Sequence, residues 1–227
     1  SAPDRNFDVQ RLLLDLDLTL DGSVSGAATV DVVRLWDGPL VLHQVDLDIT
    51  AVETGDVPSS WRLDGDRLVV DLDGDQASVA VTYSAHPDTG LHFRRASRSG
   101  PDHYDEIWSQ GEGQWNRYWY PSWDYPNDRF TYQGDIRGPE GLTVVTNSGH
   151  DLVNYLVMVA VGPYEQHVHP DDDTLVTFVP PGTSPEAVDR VLGPLPRMMT
   201  LFGDRTGLAY PYGSYRQIFV QRFMYGA

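Results

Sequence analysis

The chain has 227 residues, 41% of them apolar, and carries 33 acidic side chains against 16 basic ones, a formal charge of −17. That balance excludes nucleic acid and an anionic membrane surface as partners, because each requires a basic face. With no cysteine, disulfide frameworks, thiolate zinc sites and a cysteine nucleophile are excluded as well, while the compartment stays unassigned.

The length suits one large all-β domain or a domain and a half. No apolar run is long enough to predict a membrane-spanning helix. The opening SAPDRNFD lacks the basic and apolar regions of a signal peptide, so either none exists or it has been removed.

RLLLDLDLTL places Leu12, Leu14, Leu16, Leu18 and Leu20 on one face and Asp15, Asp17 and Thr19 on the other, which predicts a half-buried strand. AATVDVV, VDLDI, RLVVDL and SVAVTY are expected to follow as strands, with Val45, Leu47 and Ile49 sharing a face in the second of these runs. Short Gly/Asp turns separate them, the pattern of an antiparallel sandwich. LTVVTNSG (142–149) reads as a further strand, and NYLVMVAVGPY (154–164) as one buried on both faces. Only His150 and Asp151 with their neighbours link these two runs, a connection short enough to suggest that the natural chain has further residues here.

DTLVTFV is another strand, after which the period changes. Thr183 with Glu186 three places on forms a capping box, and Pro185 falls in the first turn. Val188, Val191, Leu192, Leu195, Met198, Met199 and Phe202 then recur at helical spacing, Pro194 and Pro196 should kink or split the helix, and Gly203 can end it. YRQIFVQ returns to strand. The expected organisation is a mainly β domain over 1–165 and the opening of an α/β domain over 166–227.

Metal hypotheses fare poorly. His167 and His169 share a face if extended, but zinc needs a third ligand and a buried site, so a solvated strand end is the plainer reading. Asp71, Asp73 and Asp75 alternate like a calcium loop, yet the glycine comes early and Thr82 stands where the closing Glu belongs. GxSxG, a glycine-rich phosphate loop and HExxH are all missing.

The unusual stretch is WSQGEGQWNRYWYPSWDYPNDRF (108–130), with four of the six Trp and three of the twelve Tyr. Much of it suits an aromatic core segment in which Arg117 and Asp124 form a bidentate buried pair. Gln110 and Glu112, two apart, project together if extended, with Gly111 and Gly113 leaving room for a ligand. A carboxylate beside an amide is a sensible receptor for a primary ammonium group.

Ser109, Gln110, Glu112, Arg117, Pro121, Asp124, Pro126, Arg129 and Tyr132 follow the order of a family signature. The stretch resembles the run TQ-x-E-x-x-x-x-R-x-x-x-P-C-x-D-x-P of the M1 zinc aminopeptidases. TVVTNSG, NYLVMVAVGPY and YPYGSYRQIFVQRFMYGA resemble further family segments in the same order. Ser109 replaces the usual Thr, Ser122 the usual Cys, and Asn116 a common Ala. The chain stops at Gly226 and Ala227, where the family continues Met-Glu-Asn.

The resemblance implies a saddle-like antiparallel β-sandwich N-terminal domain followed by the opening α/β segment of a thermolysin-like domain. It implies peptide N-termini as substrate, zinc in the complete parent, and no metal or catalytic residue in this fragment, which needs the rest of its own catalytic domain. Glu112 would bind the free α-amine, Gln110 would line the first side-chain pocket, and Gly226 and Ala227 would begin the loop holding the substrate backbone. Arg117 and Asp124 would brace the platform. Two other readings stay open: a non-catalytic M1-like scaffold, and a stand-alone β-sandwich module binding glycans or proteins.

Overall fold

Leucines at alternate positions give the first strand one buried face, and the same rule builds most of the first 161 residues. The computed structural model describes residues 2–98 and 103–225. They divide into two units, 1–161 and 162–227.

The first unit holds β1 (Phe7–Leu18), β2 (Val24–Arg34), β3 (Leu40–His43), β4 (Asp48–Thr54), β5 (Val57–Pro58), β6 (Trp61–Asp64) and β7 (Arg67–Val70). It continues with β8 (Gln76–Ala85), β9 (Leu91–Arg94), β10 (Glu106–Ser109), β11 (Phe130–Arg137), β12 (Thr143–Thr146), β13 (Asp151–Leu152) and β14 (Val159–Gly162). A seven-stranded sheet runs in the order β13-β11-β1-β2-β8-β4-β5, antiparallel except where β1 lies parallel to β11. A four-stranded sheet, β12-β14-β10-β9, and a three-stranded one, β3-β7-β6, accompany it. Leu12, Leu14 and Leu16 of the large sheet share one core with Leu40, Leu42 and Leu68 of the small sheet and with Ile107 and Val161 of the other. The unit is therefore mainly β, with its sheets closed on one another by apolar burial.

In the second unit, β15 (Glu165–His169) pairs antiparallel with β16 (Asp172–Val179). Helices α1 (Pro185–Leu192) and α2 (Leu195–Thr206) follow, and β17 (Tyr215–Ile218) returns parallel to β16. Val188, Leu192 and Leu195 form a small core with Leu175 and Val179. Among the described residues no helix is long and apolar enough to cross a membrane.

Four local expectations are corrected. VDLDI becomes strand only at Asp48, where β4 begins: Asp46 has φ 55°, and the Val45 and Leu47 N–H groups donate to Arg117 O at 2.9 Å and Gln44 Oε1 at 3.3 Å. NYLVMVAVGPY begins as a 3-10 turn at Asn154–Leu156 and becomes strand only at Val159. The N-cap of α1 is Ser184, whose side chain accepts the Ala187 N–H at 3.3 Å, while the Thr183 hydroxyl turns back to Pro180 O at 2.6 Å. The prolines do split the helix, but α2 runs through Gly203 and ends at Gly207, whose left-handed φ of 71° suits glycine.

The link at His150–Asp151 is a closed turn. Gly149 N–H donates to Tyr132 O at 2.7 Å, and Tyr132 N–H to His150 O at 2.9 Å.

Leu14 is fully buried and its neighbour Leu13 only half-buried, on opposite faces of β1. Leu14→Ala is expected to cost about 3 kcal/mol or more, against about 1 kcal/mol for Leu13→Ala. Urea unfolding of the two variants checks the difference.

Candidate functional site

The signature stretch leaves β10 at Ser109, whose hydroxyl accepts the Val159 N–H at 2.9 Å and ties β10 to β14. Gln110 N–H donates to Gly90 O at 2.8 Å. The chain then coils, turns over 112–115 and enters a 3-10 turn at Asn116–Tyr118. Gln110 and Glu112 are thus not paired on an extended face. Instead the Gln110 side-chain oxygen accepts the Glu112 N–H at 2.9 Å, so the amide orders the turn that carries the carboxylate. Glu112 is exposed, and its carboxylate makes no ion pair among the described residues.

The space beside Gly111 is already occupied. A Cβ there would stand 2.6 Å from the Asn116 side-chain oxygen, so this glycine admits Asn116 rather than a ligand.

Beneath the turn lies a buried polar network. Arg117 Nε donates to Asp124 Oδ2 at 3.1 Å, and its backbone N–H reaches the same oxygen at 3.2 Å. The pair is side-on, not the bidentate fork expected, because the other guanidinium nitrogens are engaged. Nη1 meets Asp66 at 3.0 Å and Nη2 the Gln114 side chain at 2.8 Å. Asp124 Oδ1 accepts Asn154 Nδ2 at 2.6 Å, and that amide also donates to the Ser122 hydroxyl at 3.1 Å. Asn116 Nδ2 donates to Asn154 O at 2.6 Å, and its Oδ1 accepts the Trp119 indole N–H at 3.0 Å. Tyr120 OH closes on Asn154 Oδ1 at 2.9 Å.

Burial raises the Asp124 carboxyl above its ordinary range, opposed by the hydrogen bonds from Arg117 and Asn154. His43 Nδ1 accepts the Asp124 N–H at 3.2 Å, and burial, helped by the Arg117 charge, lowers this imidazole to about 4. At the far end, Asp128 accepts the Val9 and Arg129 N–H groups at 3.1 and 3.0 Å and pairs with Arg5 at 3.0 Å. Desolvation leads there too and pushes its carboxyl up to about 6.

No family model matches the chain, and no curated protein matches it in sequence. Solved structures do. Leukotriene A4 hydrolase from Saccharomyces cerevisiae superposes with a TM-score of 0.86 at 18% identity, over 97% of this chain and 39% of that one. The M1 zinc metallopeptidase from Deinococcus radiodurans gives 0.77 at 21% identity, over 96% of this chain and 57% of that one. A variant of the latter, bound to a Tyr-Ser-Ala substrate, gives 0.75 at 19% identity over 96% of this chain. The chain has the M1 metallopeptidase fold. It spans from 39% to 57% of the length of these structures.

Zinc, implied by that fold family, finds no ligand set here: among the described residues no three His, Asp or Glu side chains gather to hold a metal. His169 Nδ1 accepts the Asp171 N–H at 3.2 Å and serves its own turn. Gly226 and Ala227 lie outside the described residues. The sequence reading missed Asn154 and His43. Asn154 sat at the head of an apolar run mistaken for strand, where a buried amide was the available signal; His43 ends a short strand and gave none.

Two stability predictions follow from the network. Asp124→Asn leaves the buried Arg117 without its main carboxylate and is expected to cost about 3 kcal/mol in urea unfolding at pH 7. The His43 imidazole is depressed in the fold, so its contribution is present above the unfolded value of 6.5 and is lost as pH falls towards about 4. Asp128 is raised in the fold and acts in the opposite sense. The readout is therefore the stability gap between wild type and His43→Gln, which should shrink by about 2–3 kcal/mol from pH 7 to pH 4. A gap independent of pH would contradict the assignment.

Proposed function

We propose that this chain is the N-terminal portion of an M1-family zinc aminopeptidase, which removes N-terminal residues from peptides. Residues 1–165 are its β-sandwich domain and 166–227 open its thermolysin-like catalytic domain. The observation that carries the reading is the agreement of fold with site. A likeness in fold over 96% of the chain coincides with a signature stretch whose Glu112 carboxylate is exposed and held on a braced turn.

In this reading Glu112 receives the substrate α-ammonium, and Gln110 is a positioning residue that also presents its remaining amide group. In the complete parent, bound zinc would supply Lewis-acid polarisation of the scissile carbonyl and activation of water; none of that chemistry is assigned to residues of this chain. The second unit supports the reading too. Leu201, Phe202, Leu208 and Met224 are exposed by 51%, 59%, 66% and 84%, apolar surface that further protein would cover.

A single exposed carboxylate–ammonium contact contributes roughly 1–3 kcal/mol, too little to offset the cost of association. The 227-residue chain alone is therefore expected to show neither peptidase activity nor measurable peptide binding.

The deciding experiment assays the full gene product on aminoacyl-4-nitroanilides, with and without chelator and added zinc. Zinc-dependent release of nitroaniline is expected. In the full product Glu112→Gln should lower kcat/KM about 10- to 100-fold, with much less effect on substrates of blocked amine, which are poor from the start. A zinc-free, inactive full product would overturn the aminopeptidase reading in favour of a scaffold.

A further inference from the structure

A cavity of about 130 Å³ lies beside β1 and β3 and is lined in part by His43, whose Nδ1 is bonded to the Asp124 N–H. Its walls are Phe7, Val9, Leu40, Leu42 and Trp123. A closed apolar cavity of about 150 Å³ admits one benzene molecule, so this space suits a single six-membered ring.

Two polar groups distinguish it from a packing gap. His43 lines the cavity and is 3% exposed. Because Nδ1 accepts the Asp124 N–H, the neutral ring carries its proton on Nε2, which makes no hydrogen bond among the described residues. Arg67 also lines the cavity and is the cross-strand partner of His43 in the β3–β7 ladder, so the two side chains leave the sheet on one face. Its guanidinium is exposed and makes no ion pair among the described residues, in a chain of net charge −17. Arg5, the other lining cation, spends both Nη groups on Asp8, Asp128 and Asn127 O, and its Nε is buried without a hydrogen-bond partner among the described residues. Asp4 is the one carboxylate among the lining residues and is exposed.

We propose that this cavity binds a small aromatic carboxylate of the benzoate class. The ring packs against Val41, which shares the His43 face of β3, and against Trp123, whose ring centroid lies 5.2 Å from that of His43, and the carboxylate accepts from His43 Nε2–H and pairs with Arg67. The uncharged amide of the same shape keeps the apolar contacts and loses the charge-assisted ones. The site is independent of the aminopeptidase reading, since no residue of it takes part there.

The test is a titration of the 227-residue chain by NMR, with 4-fluorobenzoate and 4-fluorobenzamide as probes. The Trp123 indole N–H, which donates to Asn127 Oδ1 at 2.8 Å, reports location. Saturable binding of the acid near about 1 mM is expected, with the amide about tenfold weaker. Arg67→Gln, at an exposed position, should reduce the acid to the level of the amide. Asp4→Asn should tighten the acid by about twofold through lost repulsion. Equal affinity of acid and amide, indifference to Arg67→Gln, no saturation up to about 20 mM, or saturation with Trp123 unmoved would each overturn the proposal.

Discussion

Everything around the candidate site hangs on the burial of Asp124. An isolated carboxylate in a core costs many kcal/mol, so its charge must be met on every side. Arg117, Asn154 and the Arg117 backbone N–H do this, and each is itself held by further partners: Asp66, Gln114, Asn116, Ser122 and Tyr120. Such a network is a poor way to gain stability, since apolar residues of equal volume do as well or better. What it supplies is a single arrangement. Five or more directional contacts favour this one arrangement of the chain from Asn116 to Asp124, and Glu112 rides on the turn immediately before it.

The two internal departures from the M1 signature fit this picture. Asn116 stands where Ala is common and Ser122 where Cys is usual, and both hydrogen-bond to Asn154. One residue thus joins the two substituted positions, its backbone carbonyl accepting from Asn116 and its side-chain amide donating to Ser122. Asn116 in turn requires Gly111 at its side, because a Cβ there would sit 2.6 Å from its oxygen. A change at any of these positions leaves a buried donor or acceptor unsatisfied, so they form one unit and not independent variations.

How far the sequence revealed this depends on the kind of interaction. Period-two burial was legible in β1, β2 and β8, because one face of each strand meets the core along its whole length. VDLDI had the same alternation, yet only Asp48 and Ile49 join a strand and Val45, Asp46 and Leu47 do not. Its backbone N–H groups are claimed by Arg117 O and Gln44 Oε1, partners distant in sequence or formed by a side chain, which outbid any ladder. NYLVMVAVG failed for a related reason: Asn154 belongs to the Asp124 network, and the strand starts only where that obligation ends. The Arg117–Asp124 contact could be anticipated from composition and spacing. Its side-on geometry could not, because Asp66 and Gln114 take the rest of the guanidinium from elsewhere in the chain. The pairing of Gln110 with the Glu112 backbone was hidden by the assumption of an extended segment, which the turn at 112–115 removes.

That last point changes what the pair of residues can do. On an extended face, Gln110 and Glu112 would be two equal contacts for an incoming amine. In the turn, one of the two lone-pair acceptors of the amide is spent on the backbone, and the carboxylate alone remains fully available. Directional recognition then rests on the position of Glu112, which the turn fixes, and on whatever second group lies opposite the amine. A lone exposed carboxylate attracts any cation with little selectivity. It becomes a specific receptor only when a second wall excludes water and fixes the ammonium from the other side. Under the proposed function the braced turn would provide half of a binding site, and the half it would provide is the rigid one.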